Sequence, residues 1–168
     1  MNRGLRGSSF EEIINLTNEL YKKKNLALIQ KIPTPITPVS FEKSTKIITK
    51  AYFEKKSTVD YIGICQGIPI CFDTKEVKNK VFSIRNVHEH QMEFMESFTR
   101  QQGFAFLLVN FKTLDECFVL PFKNLKDFWQ RSKENGRKSI PYESFQKNLR
   151  VKKIGIYFHY LDTIAKEI

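Results

Sequence analysis

The sequence predicts an α/β fold in which a mixed central sheet is flanked by helices. Three observations support this: apolar residues that repeat at helical spacing, short apolar runs typical of strands, and alternation of the two along the chain. In order, the patterns indicate a helix, a strand, a basic arm, two strands, a helix, two strands and a helix. A last strand and a short C-terminal helix follow.

The first predicted helix begins at a capping box. The pattern Ser-x-x-Glu is present in two registers, starting at Ser8 or at Ser9. Reciprocal hydrogen bonds in this pattern satisfy two free amides at a helix start. Apolar residues then recur at helical spacing to about Lys24, and a short strand is predicted over 25–29.

A basic arm is predicted after the first strand. Three prolines between residues 33 and 38 stop regular structure, because proline lacks an amide hydrogen and restricts the residue before it. Residues 39–56 contain five lysines and two glutamates, a net charge of +3, among several apolar side chains. The segment is too apolar for a free linker and too basic for a core, so we expect a projecting hairpin.

The rest of the chain continues the alternation of strands and helices. The apolar run over 103–111 favours a strand that is covered on both faces. Residues 137–150 are expected to be irregular. The other predicted strands cover 57–64, 68–75, 117–121 and about 154–160, and the predicted helices cover about 88–102 and 124–134.

The charge of the chain points to an anionic partner. In 168 residues there are 28 Lys and Arg against 18 Asp and Glu, a formal net charge of +10. Such a surface attracts polyanions, nucleic acid first, although composition alone leaves an acidic membrane surface open. The longest apolar stretch, 104–109, is far shorter than the roughly 20 residues of a bilayer span. With no recognisable signal peptide, we expect a cytoplasmic protein without a membrane segment.

Two predicted strands are joined by Gln66-Gly67 and suggest a hairpin that carries two carboxylates. With a two-residue turn, the numbers of opposed residues sum to 133, so Asp60 faces Asp73 and Thr58 faces Lys75. Opposed side chains share a face of the sheet, with Cβ atoms about 4.5–5.5 Å apart. The hairpin is therefore expected to present two acids, a threonine and a lysine together.

Two opposed carboxylates destabilise a sheet unless a positive charge lies between them. A hard divalent cation such as Mg²⁺ meets this need, and Lys75 beside it is suited to stabilising charge on a phosphate. Metal-dependent phosphodiester hydrolysis requires these groups. The spacing is also compatible with a solvated face bearing a Lys–Asp pair, and a bulge at Gly67 would turn Asp73 away from Asp60.

Six segments spread over most of the chain resemble the RecU family of Holliday junction resolvases, in the order of that family. They are Gly7–Tyr21, Lys31–Pro35, Ala51–Gly63, Cys71–Lys80, His88–Gln91 and Asn135–Ile140. The resemblance implies a restriction-endonuclease-like fold. It also implies a single nuclease domain over 1–168, interrupted at about 34–56 by a stalk that enters the junction.

The resemblance further implies a homodimer that nicks four-way DNA junctions symmetrically in recombination and repair. Mg²⁺ is the implied cofactor, with Mn²⁺ as an alternative ion. The other partners it implies are a RecA-type recombinase and a branch-migration complex, and the place of action is the nucleoid in the cytoplasm.

The family's functional positions carry over onto this chain residue by residue. The positions that match its metal site are Thr58, Asp60, Asp73 and Gln91. Lys75 matches the transition-state stabiliser, and Glu11 matches an acid of the first helix that places metal or water; with the two aspartates, these are the expected catalytic residues. The family usually has Glu-x-Lys, whereas this chain has Asp73-Thr74-Lys75, and the shorter acid would change metal distance or affinity.

Basic and aromatic residues outside this site are the candidates for DNA contact. For the lysines of the arm and the later basic turn the alternative is a solvated surface, and for the two aromatic residues of the arm it is packing at the base of the arm. For the N-terminal arginine the alternative is a disordered chain end. The candidates are Arg3, Lys43, Lys46, Lys50, Tyr52, Phe53, Lys55, Lys56, Arg137 and Lys138. The sequence therefore predicts an Mg²⁺-dependent junction endonuclease. The alternatives are a non-catalytic junction-binding or recombinase-modulating protein with a decayed site, and a nuclease that acts on linear duplex.

Overall fold

The computed structural model describes residues 9–53 and 58–168. Its helices are α1 (Phe10–Lys23), α2 (Glu89–Arg100), α3 (Phe122–Lys133) and α4 (Tyr160–Ile164). Its strands are β1 (Ala27–Lys31), β2 (Ile36–Glu42), β3 (Ile47–Phe53), β4 (Tyr61–Cys65), β5 (Ile68–Val77), β6 (Val81–Ser83), β7 (Phe104–Phe111), β8 (Glu116–Pro121), β9 (Ser139–Pro141), β10 (Lys152–Ile154) and β11 (Tyr157–His159).

A five-stranded sheet with the order β1-β4-β5-β7-β8 forms the centre of the fold. Strands β5 and β7 are parallel, and the other neighbours are antiparallel. The parallel pair is joined through α2, because parallel strands need a long crossover connection. The expected α/β architecture, a mixed central sheet flanked by helices, is confirmed.

Strand β7 lies between two apolar layers. Leu107 and Val109 belong to a buried cluster that includes residues of α2 and α3. Phe106 and Leu108 point to the other side, into a cluster that includes α1, β11 and α4. Because side chains alternate along a strand, this double burial explains the uninterrupted apolar run in the sequence.

Helix α1 begins in the second of the two registers proposed for its cap. The Ser9 amide donates to Glu12 Oε2 at 2.7 Å, and the Glu12 amide donates to Ser9 Oγ at 3.3 Å. These bonds form a complete capping box. Ser8, the other proposed cap, lies outside the described residues.

The arm contains an antiparallel hairpin, β2–β3. Among the described residues, these two strands pair only with each other. Every residue of β3 is exposed, and Phe53 is 74% exposed. The hairpin is inserted between β1 and β4, which pair with each other at its base. It therefore extends from the sheet without contributing a strand to it.

The turn between β4 and β5 fixes the register that was predicted from the sequence. Gln66 and Gly67 have φ values of 48° and 89°, and two successive positive φ values are typical of a type I′ hairpin turn. Tyr61 is opposed to Phe72, so the opposed numbers sum to 133. The alternative register with a bulge at Gly67 is therefore excluded.

Three short elements differ from the sequence expectation. Strand β4 begins at Tyr61 rather than at residue 57, the segment over 137–150 contains β9 paired with β6, and the last strand is a hairpin of β10 and β11. Strands of three residues are too short to show a period-two pattern, so sequence periodicity does not reveal them.

Several functional elements meet at one end of the central sheet, which we call the exit end because β5 and β7 finish there. The register places the end of β1, the start of β4 and the start of β8 at this same end. The β2–β3 hairpin follows β1 and therefore also departs from the exit end. The opposite end carries the β4–β5 turn and the beginning of α3.

No helix within the described part of the chain is long and apolar enough to span a lipid bilayer.

We predict that the Gly63→Ala substitution destabilises the sheet. A Cβ at this position of β4 would lie 2.3 Å from the Leu28 carbonyl oxygen and 2.8 Å from the Ile29 Cα, both on β1. Because backbone atoms must move apart, we expect a loss of about 1–3 kcal/mol in the free energy of unfolding, measured by urea denaturation.

The matched control is Gly155→Ala. An added Cβ there meets no atom within 4 Å, although its positive φ of 61° still carries a cost of about 1 kcal/mol. A Gly63→Ala protein as stable as the wild type would contradict the close packing of β1 on β4.

Candidate active site

The centre of the candidate site is Asp73, which lies near the middle of β5. Its side chain is completely buried. Alternation along β5 places it on the same face of the sheet as Cys71 and Val77, which pack in the cluster beneath α2 and α3. A carboxylate in such a position needs partners, because burial in an apolar layer penalises its charge.

Two side chains contact the two oxygens of Asp73. The Lys75 ammonium lies 2.5 Å from Oδ2, and the Gln91 amide nitrogen donates to Oδ1 at 2.9 Å. Apart from the ammonium, Oδ2 receives no hydrogen bond from the described residues. The predicted association of Asp73 with Lys75 is therefore present, and one buried oxygen remains without a full set of partners.

Asp60 lies beside this pair but does not occupy the predicted strand position. It lies in a bend just before β4, where its carbonyl accepts a hydrogen bond from the Ile32 amide at 2.8 Å. Its Oδ2 accepts from the Thr74 amide at 2.8 Å and from the Thr74 hydroxyl at 2.9 Å. The expected strand pairing of Asp60 with Asp73 is thus replaced by side-chain contacts to the neighbouring residue.

The pKa of Asp73 depends on its burial and on the charges of Lys75 and Asp60 beside it. Burial is the largest influence and raises this pKa, Lys75 lowers it, and the negative charge of Asp60 raises it again; the result is about 6 against an ordinary value of 3.8. Because the negative charge of Asp60 adds to burial in raising the pKa of Asp73, the pocket favours a cation.

Gln91 is held at the start of α2. Its Oε1 accepts a hydrogen bond from the His88 amide at 3.0 Å, which leaves the amide nitrogen facing Asp73. In this arrangement Gln91 orients the carboxylate. Coordination of a metal by Oε1 requires rotation of the side-chain amide and release of the His88 amide.

Two other predicted residues lie at the edge of the site. Thr58 is partly exposed in the bend before Asp60. Glu11, in the first turn of α1, forms an ion pair with Lys31 at the end of β1. The pKa of Lys31 is raised, first by its hydrogen bond to Glu11 and in smaller part by the charge of Asp60.

Lys31 is not among the residues predicted from the sequence. The available signal was a lysine two residues before Pro33, just after the first predicted strand. Its ion pair with Glu11 brings a positive charge close to the carboxylates, and its exposed position keeps that charge available to an anion. Lys31 therefore belongs with the candidate site residues.

The donor set of this pocket suits a hard cation. Asp60 and Asp73 supply carboxylate oxygens, and Asp73 Oδ2 is a buried oxygen with unused acceptor capacity. Oxygen donors of this type bind Mg²⁺ in combination with waters. Within residues 9–53 and 58–168, no three His, Cys, Asp or Glu side chains are placed so that they could hold a metal ion together, so further ligands would come from other oxygens.

The candidate DNA contacts are distributed over two separate exposed elements. On the hairpin, Lys43, Lys46, Lys50, Tyr52 and Phe53 are all exposed. Arg137 and Lys138 lie in the exposed turn after α3, far along the chain from the hairpin. Three further candidates, Arg3, Lys55 and Lys56, lie outside the described residues.

The chain is similar in sequence to known proteins. The chain is 44% identical over 149 residues to proteins called Holliday junction resolvase RecU in Staphylococcus aureus strains JH9, JH1 and COL, and the match covers 86% of this chain and 72% of theirs. Among solved structures, Hjc of Archaeoglobus fulgidus, a Holliday junction resolvase, matches with a TM-score of 0.49 and 13% identity, over 83% of this chain and 91% of that chain.

The family model described as "Recombination protein U", RecU, matches residues 5–166. This span includes the central sheet, the hairpin and every residue around Asp73. The chain therefore belongs to the RecU family.

Proposed function

We propose that this protein is a Holliday junction resolvase, an endodeoxyribonuclease that cuts four-way DNA junctions by hydrolysis of phosphodiester bonds. The observation that carries the proposal is the buried Asp73 with Asp60 and Lys75 around it, in a chain that belongs to the RecU family. A carboxylate pair with an adjacent ammonium is the chemistry that a metal-assisted nuclease needs.

Each residue has a distinct role in this proposal. Asp60 and Asp73 hold a divalent cation, Mg²⁺ or alternatively Mn²⁺, with Thr58 and Gln91 completing its surroundings. When bound, such a cation polarises the phosphate and acidifies a water. Lys75 leaves its contact with Asp73 Oδ2 and pairs with the negative charge that develops on the phosphate.

Glu11 and Lys31 act at the edge of the same site. The ion pair keeps the Lys31 ammonium at the end of β1, where it offers a contact for the phosphate backbone entering the pocket. Glu11 helps to position water or metal from the first turn of α1.

The exposed hairpin supports a preference for junctions over continuous duplex. Its exposed aromatic residues Tyr52 and Phe53 offer stacking surfaces to bases that lack a continuous stack at a junction centre. Lys43, Lys46 and Lys50 add sequence-independent contacts to phosphates.

A homodimer suits a substrate that needs two symmetric cuts, because one two-fold interface supplies two equivalent sites. The apolar side chains exposed on the hairpin, such as Ile36 and Ile47, are suited to contact with a second copy. In this role the protein would act on DNA in the cytoplasm. A RecA-type recombinase and a branch-migration complex would share its substrate.

We predict that Asp60→Ala abolishes cleavage of a synthetic four-way junction in Mg²⁺ while leaving junction binding intact. Loss of one of the two carboxylates should reduce the rate by at least roughly a thousandfold, or about 4 kcal/mol of activation free energy. The measurement is cleavage on denaturing gels beside binding by fluorescence anisotropy.

The matched control is Asp127→Ala, an exposed acid on α3. Binding by the wild type without cleavage in either Mg²⁺ or Mn²⁺ would instead support a non-catalytic junction-binding protein. Equal cutting of junction and linear duplex would support a duplex nuclease.

We predict that Asp73→Asn stabilises the metal-free protein at neutral pH. The folded-state pKa of about 6 lies above the ordinary 3.8, so between these values the folded state holds more protons than the unfolded state. Stability therefore falls as pH rises through this window. At pH 7 the variant should gain up to about 3 kcal/mol in the free energy of unfolding.

The gain should disappear below about pH 3, where the wild-type carboxyl is protonated in both states. Chemical denaturation at pH 3 and pH 7 tests this, with Asp127→Asn as the exposed control. A variant that is less stable than the wild type at pH 7 would show that Asp73 stabilises the metal-free fold.

We predict that replacing residues 36–53 by a short Gly-Ser linker removes the preference for junctions. The sheet should still fold, because β1 and β4 pair with each other without the hairpin. We expect the ratio of junction to duplex affinity to fall towards one, measured by competition binding. An unchanged ratio in a folded variant would exclude a role for the hairpin in recognition.

A further inference from the structure

A second basic surface lies at the far edge of the central sheet, beyond β8. It surrounds an open cleft of about 700 Å³. Four of its seven lining residues are lysine or arginine. The cleft is lined by Asp115, Lys147, Arg150, Val151, Lys152, Lys153 and Gly155.

Two of these cations are held in fixed positions by acids. The Arg150 guanidinium lies 2.9 Å from Glu116 Oε1, and the Lys153 ammonium lies 2.6 Å from Asp115 Oδ1. Lys153 also lies over the ring of Phe158, at 5.3 Å from its centroid. These contacts orient the two cations at the rim of the cleft.

The other two cations carry the excess charge of the cleft. Lys147 and Lys152 are exposed, and within residues 9–53 and 58–168 neither has an acidic group within ion-pair distance. Nothing in the described chain compensates these ammonium groups. They therefore remain available to an anion from solution.

The register of the sheet relates this cleft to the candidate active site. Lys75 is opposed to Val109, Val109 to Phe118, and Phe118 to Arg150. The backbones of Lys75 and Arg150 are thus three strand spacings apart, about 14 Å at 4.8 Å for each spacing. Since base pairs are 3.4 Å apart along a DNA axis, this corresponds to about four base pairs.

Two exposed lysines lie between the two sites, at the exit end of the sheet. Lys78 follows β5 and Lys112 follows β7, and both are exposed. The Lys112 ammonium is paired with Glu76, whereas Lys78 has no acidic group within ion-pair distance in the described chain. Lysines therefore extend from the catalytic lysine towards the cleft.

We propose that the cleft around Lys147 and Lys152 is a phosphate-binding site for the backbone of a duplex arm, several base pairs away from the phosphate that is cut. It holds the arm so that the phosphate to be cut lies at Asp60 and Asp73. The proposal rests on the nuclease function proposed above and adds a contact surface to it.

The test is a Lys147→Gln, Lys152→Gln double variant of the full chain. Its binding to a 20-base-pair duplex is measured by fluorescence anisotropy in EDTA, between 50 and 300 mM NaCl. Each lost phosphate contact should lower the slope of log affinity against log salt by about 0.9, so the slope should fall by about 1–2 and affinity at 0.1 M salt roughly 10- to 60-fold.

The matched control is a Lys24→Gln, Lys123→Gln double variant, with two exposed lysines at the opposite end of the sheet. It removes the same charge, and its slope should remain that of the wild type. Thermal unfolding of both variants checks that the fold is retained, because exposed substitutions of this kind change stability by at most about 0.5 kcal/mol.

Each outcome decides one proposal. Equal slopes for the wild type and the cleft variant overturn the phosphate-binding site but leave the nuclease function standing. A normal wild-type slope without junction cleavage in Mg²⁺ overturns the nuclease function and not the site. Pyrophosphate bound by the wild type and not by the cleft variant, with no difference in duplex binding, assigns the cleft to a free anion and overturns the DNA contact.

Discussion

The burial of the Asp73 carboxylate is the constraint on which the candidate site depends. A carboxylate in the middle of a sheet, under a helix layer, loses most of its hydration and must be compensated. Lys75 supplies a positive charge to this carboxylate and Gln91 supplies a hydrogen bond. The negative charge of Asp60 acts in the opposite direction, because it repels the charged form of Asp73. The folded chain therefore holds two mutually repelling carboxylates, and a bound divalent cation is suited to relieving this repulsion.

The elements that hold these groups come from distant parts of the sequence. The sheet register sets the position of Asp73, the start of α2 sets Gln91, and a hydrogen bond from the segment after β1 sets the bend at Asp60. The apolar layers on both faces of β5 and β7 keep these elements in place, so the site inherits the rigidity of the core. Preorganisation of this kind limits the rearrangement needed to the Lys75 ammonium and the Gln91 amide.

Much of this arrangement follows from local sequence. The Gln66-Gly67 turn determines the β4–β5 register, and the double burial of β7 follows from its apolar run. The bend at Asp60 is not predictable in this way, because it depends on the Ile32 amide, which is brought near only by the folded sheet. For the same reason, local patterns give neither the amide orientation of Gln91 nor the pairing of β6 with β9.

The insertion of the hairpin between two strands that pair with each other has an evolutionary consequence. Because β1 and β4 close the sheet beneath it, changes in hairpin length or composition leave the register of the carboxylates untouched. With junction recognition on the hairpin, as proposed above, substrate choice and bond cleavage can diverge at different rates within one gene. The hairpin sequence can then change while the residues around Asp73 are kept.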